Sequence, residues 1–358
     1  MAAPVRLADL VRAGMPALLD RYGSKLTAQQ RYGLHAIVNC RSGAFGATVM
    51  ACVDCGQRQS RMRSCGHRSC PQCQHHTAQA WLERQQAKLL PVDYFMATFT
   101  LPAALRAVAY RYPHQVYPLL FAAVADTLKA FGRHHPKLQA DIGFCAVLHT
   151  HSRRLEYHPH LHVVIPGGGV DTRERRTRLW RTLDGRYLFN GLALAKVFRA
   201  KCLQALQWAR IVLPDQLPRK WVVHCKHVGK GLPALQYLSR YLYRGVISER
   251  DLICFDQQRQ TLTFRYRDAK TRKYQRLTLP LADFLWRIAM HMLPKGMQRV
   301  RNFGFLHGNA RRLLQLVQRV LRIVPPQPPP TEPKPFHCSR CGSAMRIGHF
   351  IPASAPSG

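Results

Sequence analysis

The sequence predicts an α+β fold, and three observations predict it. Strand candidates over residues 142–149 and 160–165 are joined by a connection short enough for an antiparallel hairpin. Apolar residues at helical spacing recur on both sides of that hairpin, over 114–131 and 192–209. Ahead of them, residues 40–76 are cysteine-rich, glycine-punctuated and basic, which suits a small module held together by metal.

Taken in order, residues 1–38 read as helical. Asp9, Arg12 and Asp20 interrupt the apolar residues there, so the stretch is an amphipathic helix and not a signal peptide. The helical pattern resumes over 77–92. Residues 94–100 are β-rich and stop at Leu101-Pro102. A helix over 114–131 leads to the hairpin, whose second strand ends at Pro166-Gly167-Gly168-Gly169. A charged loop, 171–182, precedes the helix over 192–209. Trp221-Val222-Val223-His224-Cys225 reads as another strand, and a helix starts around Pro233 and stops by Gly245. Residues 261–267 and 274–279 look like a second hairpin, followed by helices over 281–292 and 309–323. The cluster Pro325-Pro326-Gln327-Pro328-Pro329-Pro330 is a semi-rigid linker. Residues 336–358 hold one more CxxC and a small-residue tail.

Lys plus Arg number 54 against 18 Asp plus Glu, a formal net charge of +36 spread over all 358 residues. Such an excess calls for a polyanionic partner. No long basic amphipathic helix is present to lie on an anionic membrane. The most apolar helix-like run, near Leu119 to Leu128, is short and carries Asp126. Nucleic acid is therefore the expected partner and a membrane is not. Half of the 12 cysteines sit in CxxC pairs. Without a secretion signal, that points to metal binding in a reducing cytoplasm and not to disulfides.

Cys52-x2-Cys55 and Cys70-x2-Cys73 are separated by 14 residues. Each turn presents two thiolates, and two such turns close a tetrahedral zinc site. Two motifs without a βαβ context argue against a redox CxxC. Cys65, His67, His75 and His76 lie close enough to replace a cysteine or to build a second site, and spacing alone does not decide between these. Cys338-x2-Cys341 is half of a zinc site, with His337 and His349 as candidates to complete it. A pair of unligated thiols is the competing reading.

His158-Pro159-His160-Leu161-His162 alternates histidines through an apolar run. A strand points residues i and i+2 to one face, so His160 and His162 aim at one metal ion, with Leu161, Val163 and Ile165 opposite. His149, His158, Glu156 and a side chain from the tyrosine helix are the candidates for a third ligand. Two imidazoles plus oxygen suit Mn²⁺, and Mg²⁺ is usable where phosphate and waters supply oxygens. In Tyr237-Leu238-Ser239-Arg240-Tyr241, helical spacing brings the two phenols side by side, while Tyr243 lies about 200° round the helix from Tyr241. Two half-buried tyrosines packing beside the Leu235/Leu238/Leu242 stripe would look the same. The neighbouring Arg240 and Arg244 and the histidine strand favour a nucleophilic pair activated by metal.

Together these motifs resemble the HUH endonucleases, in which U is a hydrophobic residue. More narrowly, they resemble the two-tyrosine rolling-circle transposases of bacterial insertion sequences, the insertion-sequence ninety-one type. The resemblance covers most of residues 35–345. It is carried by Ser64-Cys65, Cys70-Pro71-Gln72-Cys73-Gln74, Phe99-Thr100-Leu101-Pro102, Leu148-His149-Thr150 and the segment 158–169. Trp221-Val222-Val223, Tyr237-Leu238-Ser239-Arg240-Tyr241, Arg301-Asn302-Phe303-Gly304-Phe305 and the terminal CxxCG extend it. The resemblance implies an antiparallel sheet carrying the HUH strand, with packed helices, preceded by a zinc-binding domain. It implies His160 and His162 as the HUH metal ligands and Tyr237 and Tyr241 as nucleophiles, and the cysteine module looks like the family's zinc-binding domain. The spacing itself makes Cys52, Cys55, Cys70 and Cys73 the expected ligands of a structural zinc, and the ligand chemistry makes Mg or Mn the expected catalytic ion. Cys65, His67, His149 and His158 are further candidate ligands.

The organisation expected is a helical segment over 1–38, the zinc domain over 39–85 and the catalytic domain over 86–293. A basic helical segment over 294–324 and the linker and CxxC tail over 325–358 follow. The activity implied is metal-dependent cleavage and transfer of single-stranded DNA through a 5′-phosphotyrosine. Its partners would be the ends of the mobile element and the target DNA, in the bacterial cytoplasm at the nucleoid. A plasmid replication initiator or relaxase of the same chemistry, and a non-catalytic zinc-dependent DNA-binding protein, are the alternatives.

Overall fold

The amino-terminal periodicity folds as two helices, α1 (Leu7–Tyr22) and α2 (Ala28–Val38). Thr27 starts α2 with a capping box, its side chain accepting from Gln30 N–H while the Gln30 side chain accepts from the Thr27 N–H. The chain continues through β1 (Ala47–Cys52), β2 (Arg58–Met62), α3 (His75–Gln86) and β3 (Tyr94–Thr100). Helices α4 (Arg106–Arg111) and α5 (Pro113–His134) lead to β4 (Phe144–His151), β5 (Tyr157–Pro166), β6 (Gly168–Val170) and β7 (Trp180–Thr182). Next come α6 (Gly191–Trp208), β8 (Val222–His227), α7 (Leu232–Tyr243), β9 (Leu252–Asp256), β10 (Thr261–Arg267), β11 (Tyr274–Pro280) and α8 (Leu281–Met290). The chain ends with β12 (Val300–Phe303), α9 (Arg311–Val320), β13 (Phe336–His337) and β14 (Ala344–Ile351). The computed structural model describes residues 5–73, 75–171, 179–183, 185–243, 246–268, 270–324 and 336–353, with the backbone alone for 75, 76 and 240–243.

The chain divides into two units, each assembled from separate segments. The larger is Ala78–Leu242 with Leu293–Pro326. Its centre is a five-stranded antiparallel sheet in the order β12-β4-β5-β3-β8, so the HUH strand β5 lies in the middle. Alternation gives the sheet two unlike faces. On one, Phe95, Ala97, Phe99, Ala146, Leu148, Leu161, Val163 and Ile165 join Leu120, Phe121, Val124 and Leu128 of α5 and Leu194, Phe198 and Cys202 of α6 in one core. Phe99 and Phe198 meet edge to face at 5.1 Å between centroids. The other face carries the histidines. β6 pairs with β7, so the end of the expected charged loop is a short strand. Residues 172–178 of that loop lie outside the described residues.

The second unit is Met1–Thr77, Tyr243–Met292 and Gln327–Gly358. Helix α1 lies on α8, where Tyr22 stacks on Trp286 at 4.9 Å and donates a 2.7 Å hydrogen bond to Asp283. Strands β9, β10 and β11 form an antiparallel sheet in the order β11-β10-β9. The fourth sheet, β13-β14-β1-β2, draws on both ends of the chain. Three segments depart from the sequence reading. Residues 243–292 group with the amino-terminal helices and not with the rest of 86–293. Residues 300–303 form the edge strand β12 in what read as a helical segment. Residues 344–351, read as part of a tail, form a strand along the whole of β1. In each case the partner that fixes the segment is distant in sequence, so no local pattern announces it.

Candidate active site and metal centres

The central sheet aligns the histidines by register. On β5, His160 lies opposite His149 of β4 and Thr100 of β3, and His162 lies opposite Val147 and Thr98. Directly paired residues share a face. His149, His160 and His162 are all buried, and their ligating nitrogens lie within 4.8 Å of one another. Ligand nitrogens about 2.1 Å from an ion stand at most roughly 4.2 Å apart, so small side-chain rotations bring all three onto one ion.

The protonation state is set by what surrounds each ring. His160 Nδ1 donates to the His158 carbonyl at 2.7 Å, which leaves its Nε2 lone pair for a ligand. His162 Nδ1 is 3.0 Å from Thr98 Oγ1, so a proton there orients Nε2 the same way. Burial pushes the pKa of His160 down to about 4 and that of His162 to about 3, the latter aided by His160 and Lys226. Burial also holds His149 well below the ordinary imidazole range, helped by the other two rings. All three are therefore neutral near pH 7, the form that binds metal.

Of the other candidates for a third ligand, His158 has its Nδ1 2.6 Å from the Arg106 guanidinium, and Glu156 accepts from Ser152 Oγ at 3.4 Å. Neither joins the cluster. Thr98 carries no local signature in the sequence; a threonine facing a histidine is visible only once register is known.

Tyr237 stands beside this cluster. Its ring is 6.0 Å from that of His162 and perpendicular to it. Tyr241 occupies the next turn of α7, and its side chain, with those of Arg240 and Tyr243, lies outside the described residues.

The turn between β8 and α7 brings the helix to this position. Gly229 O accepts from Tyr94 N–H at 2.7 Å, and Tyr94 O accepts from Val228 N–H at 2.8 Å. Gly231, at φ +86°, lies so close on the Tyr94 ring that a Cβ there would sit 2.7–2.9 Å from its carbons. We expect Gly231→Ala to cost clearly more stability than Gly229→Ala, which also has a positive φ, +71°, but no neighbour within 4 Å. Backbone strain alone is on the order of 1–2 kcal/mol. Denaturant unfolding of both variants checks this, and equal costs would show that the close packing on Tyr94 does not fix α7.

The cysteines form two clusters, and their membership corrects the expected zinc ligands. Cys52, Cys55, Cys70 and Cys73 do not share a site. Cys70 and Cys73 join Cys40 and Cys65, while Cys52 and Cys55 join Cys338 and Cys341. In the first cluster, Cys73 Sγ lies 3.4 Å from Cys40 Sγ and 3.5 Å from Cys65 Sγ. Zinc about 2.3 Å from four tetrahedral sulfurs sets them roughly 3.8 Å apart, so this set fits zinc. A hydrogen bond from Cys70 lowers the Cys65 thiol to about 5, making it the readiest thiolate, whereas burial raises Cys40 to about 11.

The other nearby candidates take different roles. His67 accepts from Ser69 N–H at 3.2 Å and packs edge-on to Tyr32. His337 donates to the Gly342 carbonyl at 2.9 Å, and neither it nor His349 joins a cluster. The side chains of His75 and His76 lie outside the described residues.

Residues 10–101 match the family described as "Transposase zinc-binding domain", and residues 143–313 match the family described as "Putative transposase". The chain is 36% identical over 332 residues to "Putative transposase y4qJ" of Sinorhizobium fredii, across 87% of this chain and 82% of that one. It is 29% identical over 335 residues to the transposase for insertion sequence element IS801 of Pseudomonas savastanoi pv. phaseolicola, across 86% of this chain and 80% of the other. The chain belongs to the insertion-sequence ninety-one transposase family. Among solved structures, the conjugative relaxase TrwC in complex with OriT DNA aligns with 43% of the transposase and 67% of the relaxase chain. Its 16% identity and TM-score of 0.24 are too low to bear on fold or function. This transposase is a DNA-processing enzyme with a zinc-binding domain. The histidine cluster and Tyr237 fall within the transposase match, and the first cysteine cluster falls within the zinc-domain match. Among the described residues, no helix is long and apolar enough to cross a membrane.

Proposed function

We propose that this transposase cleaves single-stranded DNA at the ends of its element and transfers it through a 5′-phosphotyrosine, by a rolling-circle-like route. The observation that carries this reading is the Tyr237 ring set against His162, on the face where His149, His160 and His162 converge. The three imidazoles would hold a divalent ion, Mg or Mn, which when bound polarises the scissile phosphate. The remaining chemistry belongs to the chain. The Tyr237 phenol oxygen attacks phosphorus in line. The new bond joins that oxygen to phosphorus, and the bond from phosphorus to the 3′ oxygen breaks. The phenolic proton leaves to solvent, and the departing 3′ oxygen takes up a proton as a free hydroxyl. The covalent link conserves the phosphodiester, so rejoining needs no ATP: a 3′-hydroxyl attacks the phosphotyrosine and releases the phenol. Tyr241, four residues along α7, is the second nucleophile, able to hold one strand while the first is attached. The reaction belongs in the bacterial cytoplasm, at the nucleoid.

The deciding experiment is incubation of the protein with labelled single-stranded DNA from the element's own ends, scored for covalent protein–DNA adducts. Metal-dependent adducts on tyrosine are expected. Binding without adducts under every divalent ion would favour the non-catalytic DNA-binding reading. Relaxase or replication-initiator activity would appear as nicking at a plasmid origin with no reaction at the element's ends.

With a formal charge of +36, DNA affinity should also fall steeply with salt, as neutralised phosphates release counterions. Six phosphate contacts would lower affinity by about a thousandfold between 50 and 200 mM salt. A titration that is flat over this range contradicts the electrostatic footprint.

A further inference from the structure

We infer that Cys52, Cys55, Cys338 and Cys341 hold a second structural zinc, separate from the first, that fastens the carboxy-terminal strand to the amino-terminal hairpin. The two contributing turns are alike. Cys52-Val53-Asp54-Cys55-Gly56 and Cys338-Ser339-Arg340-Cys341-Gly342 share the pattern CxxCG. In each, the first cysteine's N–H donates to the carbonyl five residues on, Cys52 to Gln57 at 2.9 Å and Cys338 to Ser343 at 2.8 Å. In each, the closing glycine has positive φ, +69° at Gly56 and +78° at Gly342, a conformation that favours glycine. The chain thus builds the same thiolate-presenting turn twice, 286 residues apart, and brings the copies face to face.

Their sulfurs interleave. Cys341 Sγ lies 3.4 Å from Cys52 Sγ and 3.5 Å from Cys55 Sγ, and Cys55 Sγ lies 3.6 Å from Cys338 Sγ. These separations are far longer than a disulfide bond and close to the edges of a tetrahedron around zinc. Met50 and Met345 pack against the cysteines, giving the site a small apolar core. The sheet agrees with the same closure. Residues 345–351 pair antiparallel with residues 47–52, placing Met345 opposite Cys52 and Ile351 opposite Ala47. Pairing also lays Phe336 under Arg61 and Phe350 under Arg63, with guanidinium-to-ring distances of 4.5 and 5.7 Å. The family match to a zinc-binding domain ends at residue 101 and the transposase match at 313, so neither reaches Cys338 or Cys341.

The test is zinc counted per chain in reduced, full-length protein, reading the difference between variants so that any ion on the histidines cancels. Cys338→Ser with Cys341→Ser is expected to lose one zinc and to retain the other, while Cys65→Ser with Cys70→Ser loses the other one. Cys341→His, which keeps a zinc ligand, should restore the full count. Trypsin should cut after Arg346 rapidly in the Cys338/Cys341 variant and slowly in the parent. Unchanged zinc in the Cys338/Cys341 variant overturns the inference. Should a double variant not fold, cobalt titration of the metal-stripped parent decides. Two equivalents with tetrathiolate charge-transfer absorption support the second site, and saturation at one equivalent overturns it. None of these readouts depends on DNA cleavage.

Discussion

His160→Ala combined with His162→Ala is expected to abolish metal-dependent DNA nicking and leave the central sheet folded. Both rings stand on the face of β5 opposite the helix-packed core, while Leu161, Val163 and Ile165 hold the strand from the other side. Polarisation of a phosphate by a bound ion is worth several kcal/mol, so a loss of about a thousandfold or more is expected. A graded series strengthens the test. Thr98→Val removes only the hydroxyl that orients His162, and outer-shell partners of this kind are worth roughly ten- to hundredfold in metal affinity. His149→Ala should weaken metal binding more than Thr98→Val, because it removes a ring of the cluster itself. Nicking is measured against metal concentration, with circular dichroism confirming the fold. Unchanged nicking at unchanged metal concentration in the double variant would place the catalytic ion elsewhere.

Local periodicity made part of this molecule legible. The HxH alternation states by itself that His160 and His162 share a face, and the short connection before it states that its neighbour runs antiparallel; the structure contains both. What stayed hidden is whatever depends on register or on distant partners. His149 was one of several candidates, because only the pairing of β4 with β5 puts it opposite His160. The cysteine clusters divide for a related reason. Cys52 and Cys55 meet Cys338 and Cys341 across nearly the whole chain, which no spacing rule encodes, while Cys70 and Cys73 join Cys40 and the nearby Cys65, a candidate that spacing alone could not choose. One signal was available: glycine follows Cys55 and Cys341 but not Cys73, so the turns at 52–56 and 338–342 match each other better than either matches 70–73. The division into units was equally non-local, since residues 243–292 return to the amino-terminal helices through contacts such as Tyr22 with Trp286 and Asp283.

Tyr237→Phe combined with Tyr241→Phe is expected to eliminate covalent protein–DNA adducts altogether. Phenylalanine removes the oxygen proposed to attack and keeps the ring, so packing against His162 survives while the proposed chemistry does not. On the proposed mechanism, loss of the nucleophile removes the covalent route itself, a larger effect than weakening a ligand. The single variants separate the roles. Tyr237→Phe removes the phenol beside the histidine cluster, and Tyr241→Phe removes the one a helical turn away. Each should retain some cleavage and fail at complete transposition, because one phenol cannot hold donor and target strands together. Tyr243→Phe, two residues beyond Tyr241 and so rotated about 200° round the helix, should leave adducts intact. Mass spectrometry of the trapped adduct identifies the linked residue. A nucleotide on Tyr243 or on a serine would overturn the assignment of both nucleophiles. Full transposition by either single variant would mean that one tyrosine acts twice, and the second would then be a packing residue on α7.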